Sequence, residues 1–107
     1  MHDTQTQPMT TVLIRAEVAP EHVADVEAAA ADVFTALEAA KPEGLQYAAM
    51  RLDDGVTYVI LLSTPEGGKN PLLSLPEYQQ FVKGLREWLA GRSTTETLTL
   101  LGSYRLF

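Results

Sequence analysis

The chain carries one pattern twice. Val12-Leu13-Ile14-Arg15-Ala16-Glu17-Val18 reads as a strand and is followed by a stretch of helical periodicity, and Val56-Thr57-Tyr58-Val59-Ile60-Leu61-Leu62 repeats that arrangement. Asp53-Asp54-Gly55 between the halves is a strong turn signal, so the predicted order is strand, helix, strand, turn, strand, helix, strand. Crossovers of one hand put both helices on the same side of the resulting sheet. The other side is left with nothing of its own to cover it.

Each element has local support. Helix 1 is predicted over Pro20–Ala40: proline suits a first turn, Glu21 and Asp25 favour the positive end of the dipole, and Val23, Val26, Ala30, Val33, Phe34 and Leu37 make one stripe. Lys41-Pro42-Glu43-Gly44 ends it, with Gly44 expected at the left-handed exit. Strand 2 is placed over residues 45–52 and strand 3 over 56–63. Two registers are open between them. A two-residue loop sets Arg51 opposite Tyr58 on the helix side, whereas a three-residue loop puts Ala48, Met50 and Leu52 there instead. The second is the more apolar and is the expectation. It sends Tyr47, Ala49 and Arg51 to the bare side. Residues 64–71 read as a loop, and Gly67-Gly68-Lys69 within it lacks the spacing of a phosphate-binding loop. Ser74-Leu75-Pro76-Glu77 has capping-box spacing, so helix 2 is expected from there to about Gly91, with Tyr78, Phe81, Val82, Leu85, Trp88 and Leu89 as its stripe. Strand 4 is expected over residues 97–106. These elements define a ferredoxin-like βαββαβ sandwich, an α+β fold whose four-stranded antiparallel sheet has the order 4-1-3-2.

At 107 residues and 46% hydrophobic content, the chain has room for a single core. One domain over residues 11–107 is expected, behind a polar leader of residues 1–10. A net charge of −6 opposes attraction to phosphate backbones or anionic lipid, so neither nucleic acid nor membrane is an expected partner. No apolar run approaches the roughly 20 residues that span a bilayer, and the start lacks the features of a signal peptide. With no cysteine, disulfides and thiolate chemistry are impossible and a reducing cytoplasm is the simplest compartment. The bare side, with Leu13, Tyr47, Ala49, Val59 and Leu61, is too apolar for scattered exposure and points to a homodimer closed by a two-fold axis. Arg15, Glu17, Tyr47 and Arg51 are the expected interface residues, the charged ones pairing within or across subunits.

The order of elements, the segment Asn70-Pro71-Leu72-Leu73-Ser74-Leu75-Pro76-Glu77-Tyr78-Gln79-Gln80-Phe81 and the run Gly102-Ser103-Tyr104-Arg105-Leu106-Phe107 resemble the dimeric α+β barrel superfamily, in particular antibiotic-biosynthesis monooxygenase domains. The resemblance covers roughly residues 11–107. It implies a homodimeric barrel with a pocket between sheet and helices. It also implies binding of a small apolar or aromatic molecule, with cofactor-independent oxygenation among the family's activities. Some relatives degrade haem through a histidine on the second helix. This chain has only His2 and His22, neither of them there, and no cofactor is expected.

Tyr58, mid-strand and facing the helices, is the first candidate to line a ligand pocket, since its hydroxyl needs a partner or a cavity. Tyr78 and Trp88 could border the same pocket, although Trp88 is in phase with the core stripe. Asn70 precedes helix 2 in a position to contribute. Asp53 and Asp54 serve the turn rather than acid–base chemistry. The serines have no activating histidine, metal-ligand clusters are missing, and His22 reads as a solvated helix-end residue. No residue is identified as catalytic. The rival to an oxygenase is a non-enzymatic dimeric binding or stress-associated module, and a cavity of some 300 Å³ beside Tyr58 would separate the two.

Overall fold

The structure, a computed structural model, describes residues 9–65 and 70–105. The elements run β1 (Met9–Val18), α1 (Val23–Ala40), β2 (Gln46–Arg51), β3 (Thr57–Pro65), α2 (Pro76–Trp88) and β4 (Leu89–Leu98), with short 3₁₀ turns at Pro20–His22 and Pro71–Ser74. The four strands form one antiparallel sheet in the order β2-β3-β1-β4, which is the expected 4-1-3-2 read from its other edge. Both helices pack on one side. Val18, Val26, Val33, Tyr58, Ile60, Leu62, Leu72 and Phe81 make the buried core between helices and sheet. None of the helices is long and apolar enough to cross a membrane.

Several boundaries differ from the sequence expectation, each for a local reason. β1 begins at Met9, inside the expected leader, because Met9 and Thr10 pair with Pro65 and Thr64 of β3. α1 ends with Lys41 in the left-handed conformation at φ 47°, its N–H donating to the Leu37 carbonyl, so the exit precedes Gly44. The capping box is not made. Ser74 Oγ donates to the Pro71 carbonyl, and the N-cap of α2 is Leu75 without a side-chain bond. Asn70 instead caps the 3₁₀ turn, accepting from the Leu72 N–H at 2.9 Å. The loop containing Gly67-Gly68-Lys69 lies partly outside the described residues.

The largest displacement is β4, which occupies residues 89–98 rather than 97–106. Leu89 has extended backbone (φ −65°, ψ 135°), the Trp88 carbonyl accepts from the Ala19 N–H at 2.9 Å, and Leu89 pairs with Val18. Helix therefore passes directly into strand. Threonine-rich residues 93–97 supply the β-branched side chains that suit an extended strand. A register shift between Ala16 and Val18 absorbs Ala90-Gly91-Arg92 as an irregularity.

The β2–β3 register is also the other of the two considered. Arg51 pairs with Tyr58, Ala49 with Ile60 and Tyr47 with Leu62. Asp54 fixes it: its carboxylate accepts the N–H groups of Val56 and Thr57, each at 2.9 Å, and the Thr57 hydroxyl at 2.6 Å. Gly55, at φ 81°, donates to Leu52, whose own N–H donates to Thr57. Those hydrogen bonds hold the Asp54 carboxyl below the usual carboxylate range. Tyr47 and Arg51 consequently lie on the helix side, not on the bare side where they were expected. Ala48 and Met50 take their place beside Leu13, Arg15, Glu17, Val59 and Leu61. Arg51, turned toward the helices, is half-exposed and meets a carboxylate on α1, so this register leaves no charge buried without a partner.

Candidate functional site

α2 does not close down on the sheet beneath it. Between them is a cavity of about 350 Å³ with Ile14 and Ile60 on its floor, Phe81, Val82 and Leu85 from α2 above, and Leu89 at the start of β4. Its polar groups are the Tyr78 phenol, the Arg86 guanidinium and the hydroxyls of Ser93 and Thr95. The space follows from the sequence of β4. Ser93 and Thr95 pair with Ala16 and Ile14 on the helix side, and small hydroxylated side chains there leave volume that leucine or phenylalanine would partly fill. The result is an apolar chamber with a few convergent polar groups, the ordinary make-up of a small-molecule site.

Tyr78, on the chamber lining, belongs to an aromatic cluster that extends away from it. Tyr47 packs on Phe34 with ring centroids 5.3 Å apart and meets the edge of Tyr78 at 6.3 Å and 85°. The Tyr47 hydroxyl is buried and has no hydrogen-bond partner. Burial raises the pKa of both Tyr47 and Tyr78, which keeps them neutral hydrogen-bond donors at physiological pH.

Tyr58 has a different task. Its hydroxyl donates to Glu27 Oε2 on α1 at 2.9 Å, and the same oxygen accepts from Arg51 on β2. Burial, then the Glu27 hydrogen bond, raises the Tyr58 pKa, and the adjacent carboxylate raises that of Arg51. This three-residue clamp ties α1 to the β2–β3 hairpin beside a smaller cavity of about 240 Å³ that also touches Phe34, Ala49 and Met50. Trp88 lies against His22 with ring centroids 6.2 Å apart and an interplanar angle of 29°, and His22 Nδ1 is 2.9 Å from Asp25 Oδ2. The Trp88 ring also covers Gly84, where an added Cβ would come within 2.6 Å of Cη2. Gly84 is thus the place where the helix makes room for its own tryptophan.

Of the three side chains expected around one pocket, Tyr78 lines the chamber under α2, while Tyr58 and Trp88 sit apart from it and from each other. Asn70 serves as a cap. Arg86, Ser93 and Thr95 were not anticipated, and neither was Glu27. Threonine at alternating positions 95 and 97 was the available signal for the first part of the omission, since it marks a strand whose inward face is not aliphatic. Among the described residues no group of three or more histidines, aspartates or glutamates gathers to hold a metal ion. The lining of the chamber holds neither carboxylate nor imidazole.

No protein-family model and no curated protein sequence matches the chain. Solved structures do match its fold. A protein of Caulobacter crescentus provisionally described as an antibiotic biosynthesis monooxygenase is 20% identical, with a TM-score of 0.67 over 90% of this chain and 92% of that one. A conserved protein of Methanosarcina mazei is 18% identical, with a TM-score of 0.70 over 88% and 94%. A variant of SnoaB, a cofactor-independent oxygenase of Streptomyces nogalater, is 22% identical, with a TM-score of 0.59 over 91% and 97%. The chain therefore has the fold of antibiotic biosynthesis monooxygenase-like proteins.

Proposed function

We propose that the protein acts as a homodimer that binds a small aromatic molecule under α2 and oxygenates it without a cofactor. The observation that carries this reading is the chamber itself, whose volume of about 350 Å³ falls within the range of small-ligand pockets. The similarity of fold to a cofactor-independent oxygenase supports it by analogy. Ile14, Ile60, Phe81 and Leu85 suit fused rings. Arg86 and the Tyr78 phenol suit an anionic oxygen on the ligand, the guanidinium by charge and the phenol by donating a hydrogen bond.

Without a redox cofactor, the electrons that reduce oxygen must come from the substrate. A tricyclic aromatic ketone with a doubly benzylic methylene, acidic through its enol form, meets that need. Oxidation of the methylene to a carbonyl releases four electrons, which reduce one O₂ to the new carbonyl oxygen and one water. With neither carboxylate nor imidazole on the lining, the substrate's own acidity supplies the reactive anion, and Arg86 favours that charged form. The same shortage of a general base supports a second reading, in which the chamber binds such a molecule and does not turn it over.

Titration with anthrone, with oxygen uptake followed in parallel, tests both. Saturable binding with stoichiometric oxygen consumption is expected, and Thr95→Leu, which narrows the chamber, should weaken binding at least about tenfold. Binding without uptake selects the second reading. Binding unchanged in Thr95→Leu removes the chamber from either.

A further inference from the structure

The clamp on α1 has more hydrogen-bonding capacity than its own members use. Glu27 Oε2 accepts from both the Tyr58 hydroxyl and Arg51 Nη1, while among the described residues Glu27 Oε1 and the Nη2 and Nε of Arg51 have no partner. A carboxylate offers roughly four acceptor sites and a guanidinium five donors, so most of the pair's capacity is left over. Both side chains are reached from solvent, Glu27 being 47% and Arg51 49% exposed.

The pair borders the cavity of about 240 Å³ whose apolar walls are Ala30 and Phe34 of α1 and Ala49 of β2. That cavity shares no lining residue with the chamber under α2. Its lining carries one negative and one positive side chain, so an anionic ligand would be opposed by Glu27 and a cationic one by Arg51. A neutral ligand with a donor beside an acceptor is opposed by neither. The volume lies below the range usual for drug-sized ligands, which limits such a ligand to one or two rings.

We infer that this cavity is a second small-molecule site and that it takes a planar heteroaromatic lactam. The ring N–H donates to Glu27 Oε1, the adjacent carbonyl accepts from Arg51, and the ring lies against Phe34 and the two alanines. Tyr58 is a positioning residue here, since its hydroxyl holds the other oxygen of the carboxylate. The site does not depend on what the chamber under α2 receives.

Titration of 2-quinolone into the full chain, with N-methyl-2-quinolone as the matched compound that lacks the donor, tests the site. The chain's three phenylalanines report on it, because Phe34 lines this cavity and Phe81 lines the chamber. Protein labelled in the phenylalanine rings should show a saturable shift at Phe34 with Phe81 unmoved, and the N-methyl compound should bind at least about tenfold more weakly. Arg51→Lys, which keeps the charge and loses the fork, should weaken 2-quinolone binding by a similar factor with far-UV circular dichroism unchanged. The pair of quinolones decides the matter should that variant fail to fold. An unmoved Phe34, equal binding of the two quinolones, or binding unchanged in Arg51→Lys overturns the assignment. A shift of Phe81 alone places 2-quinolone in the chamber, which overturns this site and leaves the reading of the chamber standing.

Discussion

Over β2 and β3, α1 lies close to the sheet: Val26 and Val33 are fully buried, Phe34 packs on Tyr47, and the Glu27 carboxylate is held by Tyr58 and Arg51. Over β1 and β4, α2 stands off and leaves a chamber. The difference comes from the side chains that each half of the sheet points upward. β3 offers Tyr58, Ile60 and Leu62, which fill space and, through the tyrosine hydroxyl, reach a helix carboxylate. β4 offers Ser93 and Thr95, which do neither. One layer of helices on one sheet thereby yields a half tied together by a clamp, with smaller cavities of about 240 and 270 Å³, and a half whose chamber of about 350 Å³ is fit for a ligand.

The largest effect that tests this division is on α2 itself. Phe81, 3% exposed, both lines the chamber and joins the core, so Phe81→Ala should cost about 3–5 kcal/mol of unfolding free energy, read by denaturant titration. A cost below about 1 kcal/mol would mean that α2 is not anchored through this ring and that the open half is looser than described.

The α1 half is tested through the clamp. Glu27→Ala removes the acceptor shared by the part-buried Tyr58 hydroxyl and Arg51 and should cost about 1 kcal/mol, comparable to Tyr58→Phe, which removes donor and hydrogen bond together. The double variant should cost less than the sum of the two. Additive costs in the double variant would show that the clamp does not couple α1 to the hairpin.

The effect expected to vanish at neutral pH concerns the phenols. Tyr47, Tyr58 and Tyr78 have folded-state pKa values above their ordinary value of 10.0, so the folded chain holds those protons more tightly than the unfolded one. Their contribution to stability is fully present below pH 10 and is lost as pH rises beyond it. Through these groups the melting temperature should not vary with pH near 7 and should fall steeply above pH 10, and Tyr58→Phe should flatten that fall. A flat alkaline profile in the wild type would contradict the burial assigned to all three.

How much of this was legible beforehand depends on where each decision is made. Periodicity in residues 20–40 and 76–88, with the strand runs beginning at Val12 and Val56, was enough to define two helices on one side of a sheet ordered 4-1-3-2. Those decisions are local, and the handedness of crossovers supplied the rest. β4 was misplaced because Ser93-Thr94-Thr95-Glu96-Thr97 has no apolar alternation to read, whereas the later leucines do alternate. The hairpin register is held by the Asp54 turn bonds, and the partner that Arg51 meets on the helix side, Glu27, lies 24 positions away in sequence and is therefore invisible to a pattern of neighbours. The chamber was hidden for a related reason. A cavity is the volume that small side chains fail to fill across several strands, and no single residue announces it. Tyr78 was legible as a candidate because an aromatic hydroxyl on an inward stripe needs somewhere to point. Tyr58 satisfied the same argument by a different route, through a carboxylate.

The central claim, that the space under α2 receives the ligand, has a direct reporter. The chain contains only two isoleucines, Ile14 and Ile60, and both form the chamber floor. Titrating anthrone into protein labelled at the isoleucine δ1 methyls should move both resonances along one saturation curve, with Thr95→Leu displacing that curve at least about tenfold to higher anthrone concentration. Two unmoved isoleucine peaks at a concentration where binding is otherwise detected would place the ligand elsewhere and contradict the account.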